Sequence, residues 1–330
     1  MNKNKAFVTF YALIIALILM SAILIYSKSN ENKAINIQLL NSKRQAQYIA
    51  ESNLEYGIEK LKSDDEILKL CSNLRKSKAY FPHFNLITFD ELNEYRLDYK
   101  NSIQTIDDFM HLKVHAQIEY ENIDLGVTAI VSLFNKLLTK NESIINKNNL
   151  KAEEIIEFEK LIERLNEIDK NYDKDFPYAI VEIENDEFIK TIDTNENFVL
   201  NYYLEQRLIH EEILPSNFLL INNSDLYIGD IYSNISHRAV KITPIIINKG
   251  NIICNKDFTF NGIFINIGGN ITTNDYNVKI NGMTLADSNS DLSGVNTKLD
   301  KALIQDAATL LKEFIDIQIY SLKLNPVFIE

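Results

Sequence analysis

The chain has 330 residues, 46% of them hydrophobic and 24% charged, the balance of a folding polypeptide rather than a disordered one. Nine Gly and five Pro leave no low-complexity linker, and two Cys, Cys71 and Cys254, make neither a disulfide framework nor a CxxC metal site. A formal net charge of −12 supplies no general field to attract phosphate backbones, which argues against a nucleic-acid partner.

Met1 to Lys5 is short and basic, and no charged residue occurs from Ala6 to Ser27. The apolar run from Ala6 to Tyr26 would span about 30 Å as a helix, the thickness of a bilayer core. It is too long for the ~7–15-residue apolar core of a secretory signal, and Tyr26-Ser27-Lys28-Ser29 offers no small-x-small cleavage site. Basic residues before the span place the N-terminus in the cytoplasm and export the rest. From Lys28 to Lys62 there is no Pro and only one Gly, Gly57. Ile35, Leu39, Ala46, Ile49, Ala50, Leu54, Ile58 and Leu61 recur mostly three or four apart, the helical period. The span is therefore expected to continue outward as one amphipathic rod through residue 62, about 80 Å in all.

The stretch Gln45-Ala-Gln-Tyr-Ile-Ala-Glu-Ser-Asn-Leu-Glu-Tyr-Gly-Ile-Glu59, with the basic leader and apolar segment before it, resembles the N-terminal region of minor pilins of type IV pili and of the K-type tip pseudopilins of type II secretion. The resemblance implies cleavage by prepilin peptidase between Ala6 and Phe7, with Phe7 as the N-methylated first residue, and assembly with major and minor pilins through the N-terminal helix. Ala6 stands where the family usually has Gly. Tyr11 stands where most pilins carry a Glu that pairs with a neighbouring subunit's N-terminal amine, and tip subunits commonly lack that Glu. The resemblance covers about the first 62 residues and implies an initiating or tip position in the filament.

Further along, Asp64 to Lys76 reads as helical. His111 to Tyr120 alternates polar and apolar, the mark of a half-buried strand, and Leu125 to Phe134 is a more apolar one; with a strand beginning near Leu97 they form an antiparallel meander. Lys151 to Tyr172 reads as a charged amphipathic helix, and Val199 to Ile213 as another. Gly250-Asn-Ile-Ile-Cys-Asn recurs about 20 residues on as Gly269-Asn-Ile-Thr-Thr-Asn274, and Phe260-Asn-Gly-Ile as Ile280-Asn-Gly-Met, with a weaker copy starting at Gly229. The expectation is a β-rich repeat stack, short and solenoid-like, with Asn-Gly turns and a capping helix at Thr297–Ser321.

Two oxygen-rich clusters are candidate calcium loops. Asp287, Asn289, Asp291 and Ser293 alternate as ligands do, although Leu292 and Lys298 stand where an EF-hand has its Gly and its last Glu. Asp169, Asn171, Asp173 and Asp175 are interleaved with Lys170 and Lys174. No other cofactor is expected. Of the five His, His111 and His115 share a strand face without a third ligand and are expected to face solvent. No GxSxG, Walker A, GxGxxG or complete HExxH motif occurs, so the chain is not read as an enzyme.

The expected fold class is α+β, divided as leader 1–6, transmembrane and rod helix 7–62, pilin-like αβ domain 63–150, charged helix and connector 151–215, and β-repeat domain with C-terminal helix 216–330. The expected function is a structural minor pilin, held in the cytoplasmic membrane by a single pass until assembly. The alternative is a membrane-anchored surface adhesin or binding module.

Overall fold

With no Pro and a single Gly to interrupt it, the N-terminal region is one α-helix, α1 (Lys3–Leu61, 59 residues), about 88 Å long at 1.5 Å per residue. The structure is a computed structural model that describes residues 3–82, 96–121, 123–168, 179–194, 198–214, 218–229 and 245–326. The molecule is α+β: this long apolar helix precedes three β-sheets. Side chains from Phe10 to Asn41 are exposed. Beyond them Ala46, Ile49, Ala50, Leu54, Ile58 and Leu61 form a buried stripe, the face that packs on the first sheet.

After α1 come α2 (Asp64–Arg75), β1 (Arg96–Ile106), β2 (Phe109–Tyr120), β3 (Ile123–Phe134), β4 (Ile144–Asn146) and α3 (Ala152–Asn166). Asp64, Asp65 and Glu66 sit in the first turn of α2, where the helix dipole favours acidic groups. β1, β2 and β3 form the expected antiparallel meander. Asp107 and Asp108, at φ 50° and 67°, supply the two left-handed residues of a hairpin turn whose twist matches its strands. Leu112, Val114, Ala116 and Ile118 of β2, with Val127, Ala129, Val131 and Leu133 of β3, all face the core shared with α1, as the period of two requires.

The rest of the chain supplies β5 (Ala179–Ile183), β6 (Ile189–Thr194), β7 (Phe198–Leu204), β8 (Arg207–Leu214), β9 (Phe218–Asn222), β10 (Asp225–Ile228), β11 (Ile245–Asn248), β12 (Asn251–Cys254), β13 (Phe258–Asn266), β14 (Asn270–Thr272), β15 (Val278–Ala286), β16 (Val295–Leu299), α4 (Lys301–Ala308) and β17 (Ile315–Pro326). β17 lies antiparallel beside β3 and completes a four-stranded sheet, β1-β2-β3-β17. A six-stranded sheet runs β14-β12-β10-β6-β7-β8, and a seven-stranded one runs β16-β15-β13-β11-β9-β5 with β4 also paired to β15. The seven-stranded sheet is parallel throughout. The segments that match in sequence lie side by side: Asn251 pairs with Asn270, and Phe260-Asn-Gly pairs with Ile280-Asn-Gly.

The seven-stranded sheet separates two hydrophobic cores. Leu219, Ile221, Ile245, Ile247, Ile263, Ile265, Met283 and Leu285 face the core shared with α1, α3, α4 and the meander. Leu220, Ile246 and Phe264 face a second core closed by Ile192, Leu226, Ile252 and Ile271 of the six-stranded sheet. A strand with apolar neighbours on both faces reads as an unbroken apolar run, as Ile245-Ile246-Ile247 does.

At the C-terminal ends of β9, β11 and β13 three stacked Asn side chains, Asn222, Asn248 and Asn266, are fully buried. Asn222 Nδ2 donates to Asn248 Oδ1 (2.7 Å), Asn248 Nδ2 to Asn266 Oδ1 (2.7 Å), and Asn266 Nδ2 to the Gly269 carbonyl (2.7 Å). The ladder satisfies polar groups that burial would otherwise penalise. Close packing of successive strands explains two glycines. A Cβ on Gly269 would come within 2.4 Å of the Gly250 carbonyl oxygen. Gly282, at φ +124°, faces the Gly262 carbonyl oxygen at 2.1 Å from such a Cβ.

Several expectations change. The Asn-Gly pairs are not turns between strands: Asn261-Gly262 and Asn281-Gly282 lie inside β13 and β15, where Gly allows the close approach of adjacent backbones. The strand preceding Gly229, β10, is the one that pairs with β12, from Asp225 opposite Asn251; residues 230–244 lie outside the described residues. Val199–Ile213 is not a helix but the hairpin β7–β8, turned by Glu205 and Gln206 at φ 49° and 68°. The helix expected at Thr297–Ser321 shortens to α4, with β16 before it and β17 after. The β-branched run Ile315-Asp-Ile-Gln-Ile319 favours a strand once the edge of β3 is open to it. Strand pairing also crosses the expected boundaries at 150/151 and 215/216: β4 joins the parallel sheet, β5 to β8 join the two larger sheets, and β17 joins the meander.

Asn248→Ala leaves the Asn222 amide and the Asn266 carbonyl buried without their partner. The expected loss is about 1–3 kcal/mol of stability, read as a lower melting temperature by circular dichroism of the detergent-solubilised chain. A melting temperature equal to that of the surface variant Tyr276→Ala would show that the ladder contributes nothing.

Candidate functional site

The feature that most needs a partner is the free part of α1. Val8, Phe10, Leu13, Leu17, Leu24 and Ile25 are each more than half exposed, and the apolar window has a mean hydropathy of 2.4 with none of it buried. Such a surface has no stable place in water, but its length and composition suit a membrane span. Inside the span Ser21 Oγ donates to the Leu17 carbonyl at 2.9 Å, so its hydroxyl is satisfied within the helix, as a lipid environment demands. Ala6 and Phe7 are adjacent in this helix and Tyr11 lies about one turn beyond them; Tyr11 is exposed.

Past the apolar run, Ile35, Ile37, Leu39 and Leu40 remain 46–61% exposed among charged neighbours. The helix meets the body of the protein where Ser42 Oγ hydrogen-bonds the Glu121 carboxylate at the β2–β3 turn. A cleft of about 620 Å³ opens there between α1 and the turn, lined by Ile37, Asn41, Tyr120 and Glu121 among others.

Of the candidate calcium ligands, Asp287 and Asp291 each turn one carboxylate oxygen to their own loop. Asp287 Oδ1 accepts from the Asn289 amide (3.1 Å) and from Ser290 Oγ (2.6 Å). Asp291 Oδ1 accepts from the Ser293 amide (2.9 Å), and hydrogen bonds from Ser293 hold its carboxyl below the usual range. The alternation of oxygen side chains at 287, 289, 291 and 293 therefore serves successive side-chain-capped turns. The cluster at Asp169–Asp175 lies outside the described residues. Among the described residues no three His, Cys, Asp or Glu side chains are grouped to hold a metal.

His111 departs from its expected solvent-facing place. It is buried, its Nδ1 lies 3.0 Å from the Phe109 carbonyl, and its ring stands edge-on to Tyr320 of β17 at 5.3 Å. β17 covers the strand face that would otherwise be open. His115, half-buried, has its Nδ1 2.9 Å from Thr128 Oγ1; burial, then the Lys100 and Lys113 ammoniums, lower its pKa. Cys71 and Cys254 are free and buried in separate cores, and burial pushes both thiols up to about 12, which leaves them unreactive at neutral pH.

Two features were not read from the sequence. One is a charged junction where α1 ends and α2, α3 and the approach to β17 meet. Lys312 bridges to Asp64, and Arg164 and Glu313 share a cleft of about 360 Å³ with them. Burial pushes the Glu313 carboxyl above its ordinary value and Asp64 adds to this, against Lys312 and Arg164. The other is the outward face of β8, with Leu208, Ile209 and Ile213 exposed; helical spacing and an edge strand with a bulge give similar apolar patterns over so short a stretch.

No family model matches the chain, and no curated protein or solved structure matches it.

Because Glu313 binds its proton more tightly folded than unfolded, its charged form opposes folding at neutral pH, and that opposition is relieved as pH falls through its raised folded value toward 4.5. Glu313→Gln should raise the melting temperature at pH 7 and flatten its dependence on pH between 7 and 4.5. An unchanged pH profile would rule out Glu313 as the group responsible.

Proposed function

We propose that this chain is a minor subunit of a type IV pilus or a related secretion filament, not an enzyme, anchored in the cytoplasmic membrane by α1 and placed at or near the filament tip. The observation that carries the reading is the division of α1. One unbroken helix buries its last stretch, from Ala46 to Leu61, on an antiparallel sheet and leaves the rest bare, apolar from Ala6 to Tyr26 and mixed polar and apolar after it. A single-pass anchor alone requires only about 20 apolar residues. The exposed continuation through Ile35 to Leu40 has a use when rods of several subunits pack side by side, as in a pilin filament.

In this reading the leader ends at Ala6, Phe7 becomes the first residue of the mature chain, and residues after the span lie outside the cytoplasm. Tyr11 in place of a carboxylate spares the membrane a buried charge and removes a contact that a repeated shaft subunit would use, which favours a tip position. The two larger sheets form a short β-solenoid set into the pilin-like αβ domain between β3 and β17. The near-constant offset of the paired segments, the Asn ladder and the stacked glycines support that description. In this reading the solenoid is the part through which a tip subunit meets its surroundings.

A second reading, an anchored surface module that never enters a filament, is favoured by the two departures at Ala6 and Tyr11. Peptide mass spectrometry of the chain co-expressed with an active prepilin peptidase separates the two. The filament reading expects an N-terminal peptide beginning at Phe7, with or without one added methyl group. A chain that keeps residues 1–6 while a control pilin is cleaved would overturn it in favour of the anchored module.

A further inference from the structure

The described sheets end in edges of unequal character. β1 exposes polar side chains such as Asp98, Lys100 and Ser102. β14 has three residues, and β16 exposes Asn296 and Lys298. β17 carries exposed Ile319, Leu322 and Leu324, but its pairing is broken by two register shifts, Lys323 is exposed, and Pro326 ends it. Short length, lysine, proline and irregularity are the devices that keep sheet edges from pairing with other chains.

β8 has fewer of them. It is eight residues long, contains no Lys, Pro or Gly, and is the last strand of its sheet. Leu208, Ile209 and Ile213 are 50%, 55% and 63% exposed. Its charges are also arranged to complement themselves when the strand is reversed. Tyr202 pairs with His210 and Tyr203 with Leu208, so Ile209 is an extra residue at a bulge. Counting across that bulge, Arg207 (opposite Leu204), His210 and Glu212 (opposite Leu200) share one face, whereas Leu208 and Glu211 share the other.

We propose that β8 is a self-association edge, pairing antiparallel with β8 of a second copy of this chain about a two-fold axis at Ile209–His210. That register sets Arg207 opposite Glu212 of the partner subunit on one face, and symmetry repeats the pair. On the other face Leu208 lies opposite Glu211 of the partner subunit. Arg207 makes no ion pair among the described residues, and Glu212, although it accepts from the Tyr202 hydroxyl, has a second oxygen to offer. Directly opposed unlike charges stabilise an antiparallel pair, and an isologous contact of this kind closes at two copies rather than propagating. The six-stranded sheet would continue across the axis into a twelve-stranded one. The inference does not depend on the filament reading, since an anchored module would pair in the same way.

The test uses the full chain in detergent. Ile209→Cys, placed at the axis, should give an oxidation-dependent band at twice 38.1 kDa on a non-reducing gel; Cys71 and Cys254 are buried and do not compete. Sedimentation should show Arg207→Glu and Glu212→Arg each weakening association at least tenfold, and the combined Arg207→Glu/Glu212→Arg chain, which restores the charge pair, regaining it. Association indifferent to the single charge reversals, as pairing through α1 would be, overturns the proposal. So does a monomer at every concentration, a double variant that stays dissociated, or an Ile209→Cys chain that does not cross-link.

Discussion

Burial of the seven-stranded parallel sheet on both faces is the constraint from which the rest of the structure follows. One face needs a cover, which α4 supplies against β13 and β15 and α3 supplies through Phe158 and Ile162 beside Ile267, within a core shared with α1 and the meander. The other needs a second cover, which the six-stranded sheet supplies through Leu226, Ile252 and Ile271. A parallel sheet tolerates no wet face as an antiparallel one does, so removing either cover would expose a continuous apolar surface. At the C-terminal ends of β9, β11 and β13 the chain must turn between the two cores without orphaning polar groups. The Asn222–Asn248–Asn266 ladder meets that need, and Asn248 Nδ2 lies 2.2 Å from where a Cβ on Gly269 would stand, so the ladder itself excludes a side chain there.

Legibility in the sequence tracks how local each determinant is. The apolar run of α1, its missing helix breakers and the alternation of His111–Tyr120 are local signals, and each gave the right element. The similarity of the segments around Gly250 and Gly269 is legible in the sequence, and the register sets Asn251 beside Asn270. What the repeated segments do is not legible there: an Asn-Gly pair looks like a hairpin turn, yet at 261–262 and 281–282 the Gly answers the backbone of the next strand. The C-terminal segment failed for the same reason. Leu303 to Leu311 carries a helical stripe that α4 uses, but whether Ile315 onward extends it or forms a strand is decided by the free edge of β3, which is far away in the sequence. The candidate calcium loop shows the converse, since alternating oxygen side chains are as good at closing turns in a loop as at surrounding an ion.

The pairing of β17 with β3 also constrains how the chain can fold. Val127, Ala129 and Val131 lie on the edge strand of the meander until residues 315–326 arrive. Everything from β4 to α4 lies between the two strands in sequence. Contacts of such long separation form late because loop-closure entropy must first be overcome. Until then the meander has an open apolar edge of the kind that invites pairing with the wrong chain. α1 limits that exposure. Its stripe from Ala46 to Leu61 is adjacent in sequence to the meander and can cover the faces of β2 and β3 early, leaving only the edge to wait. β17 then ties the two parts together: it joins the last described strand to the sheet that rests on the first helix through the β3–β17 ladder.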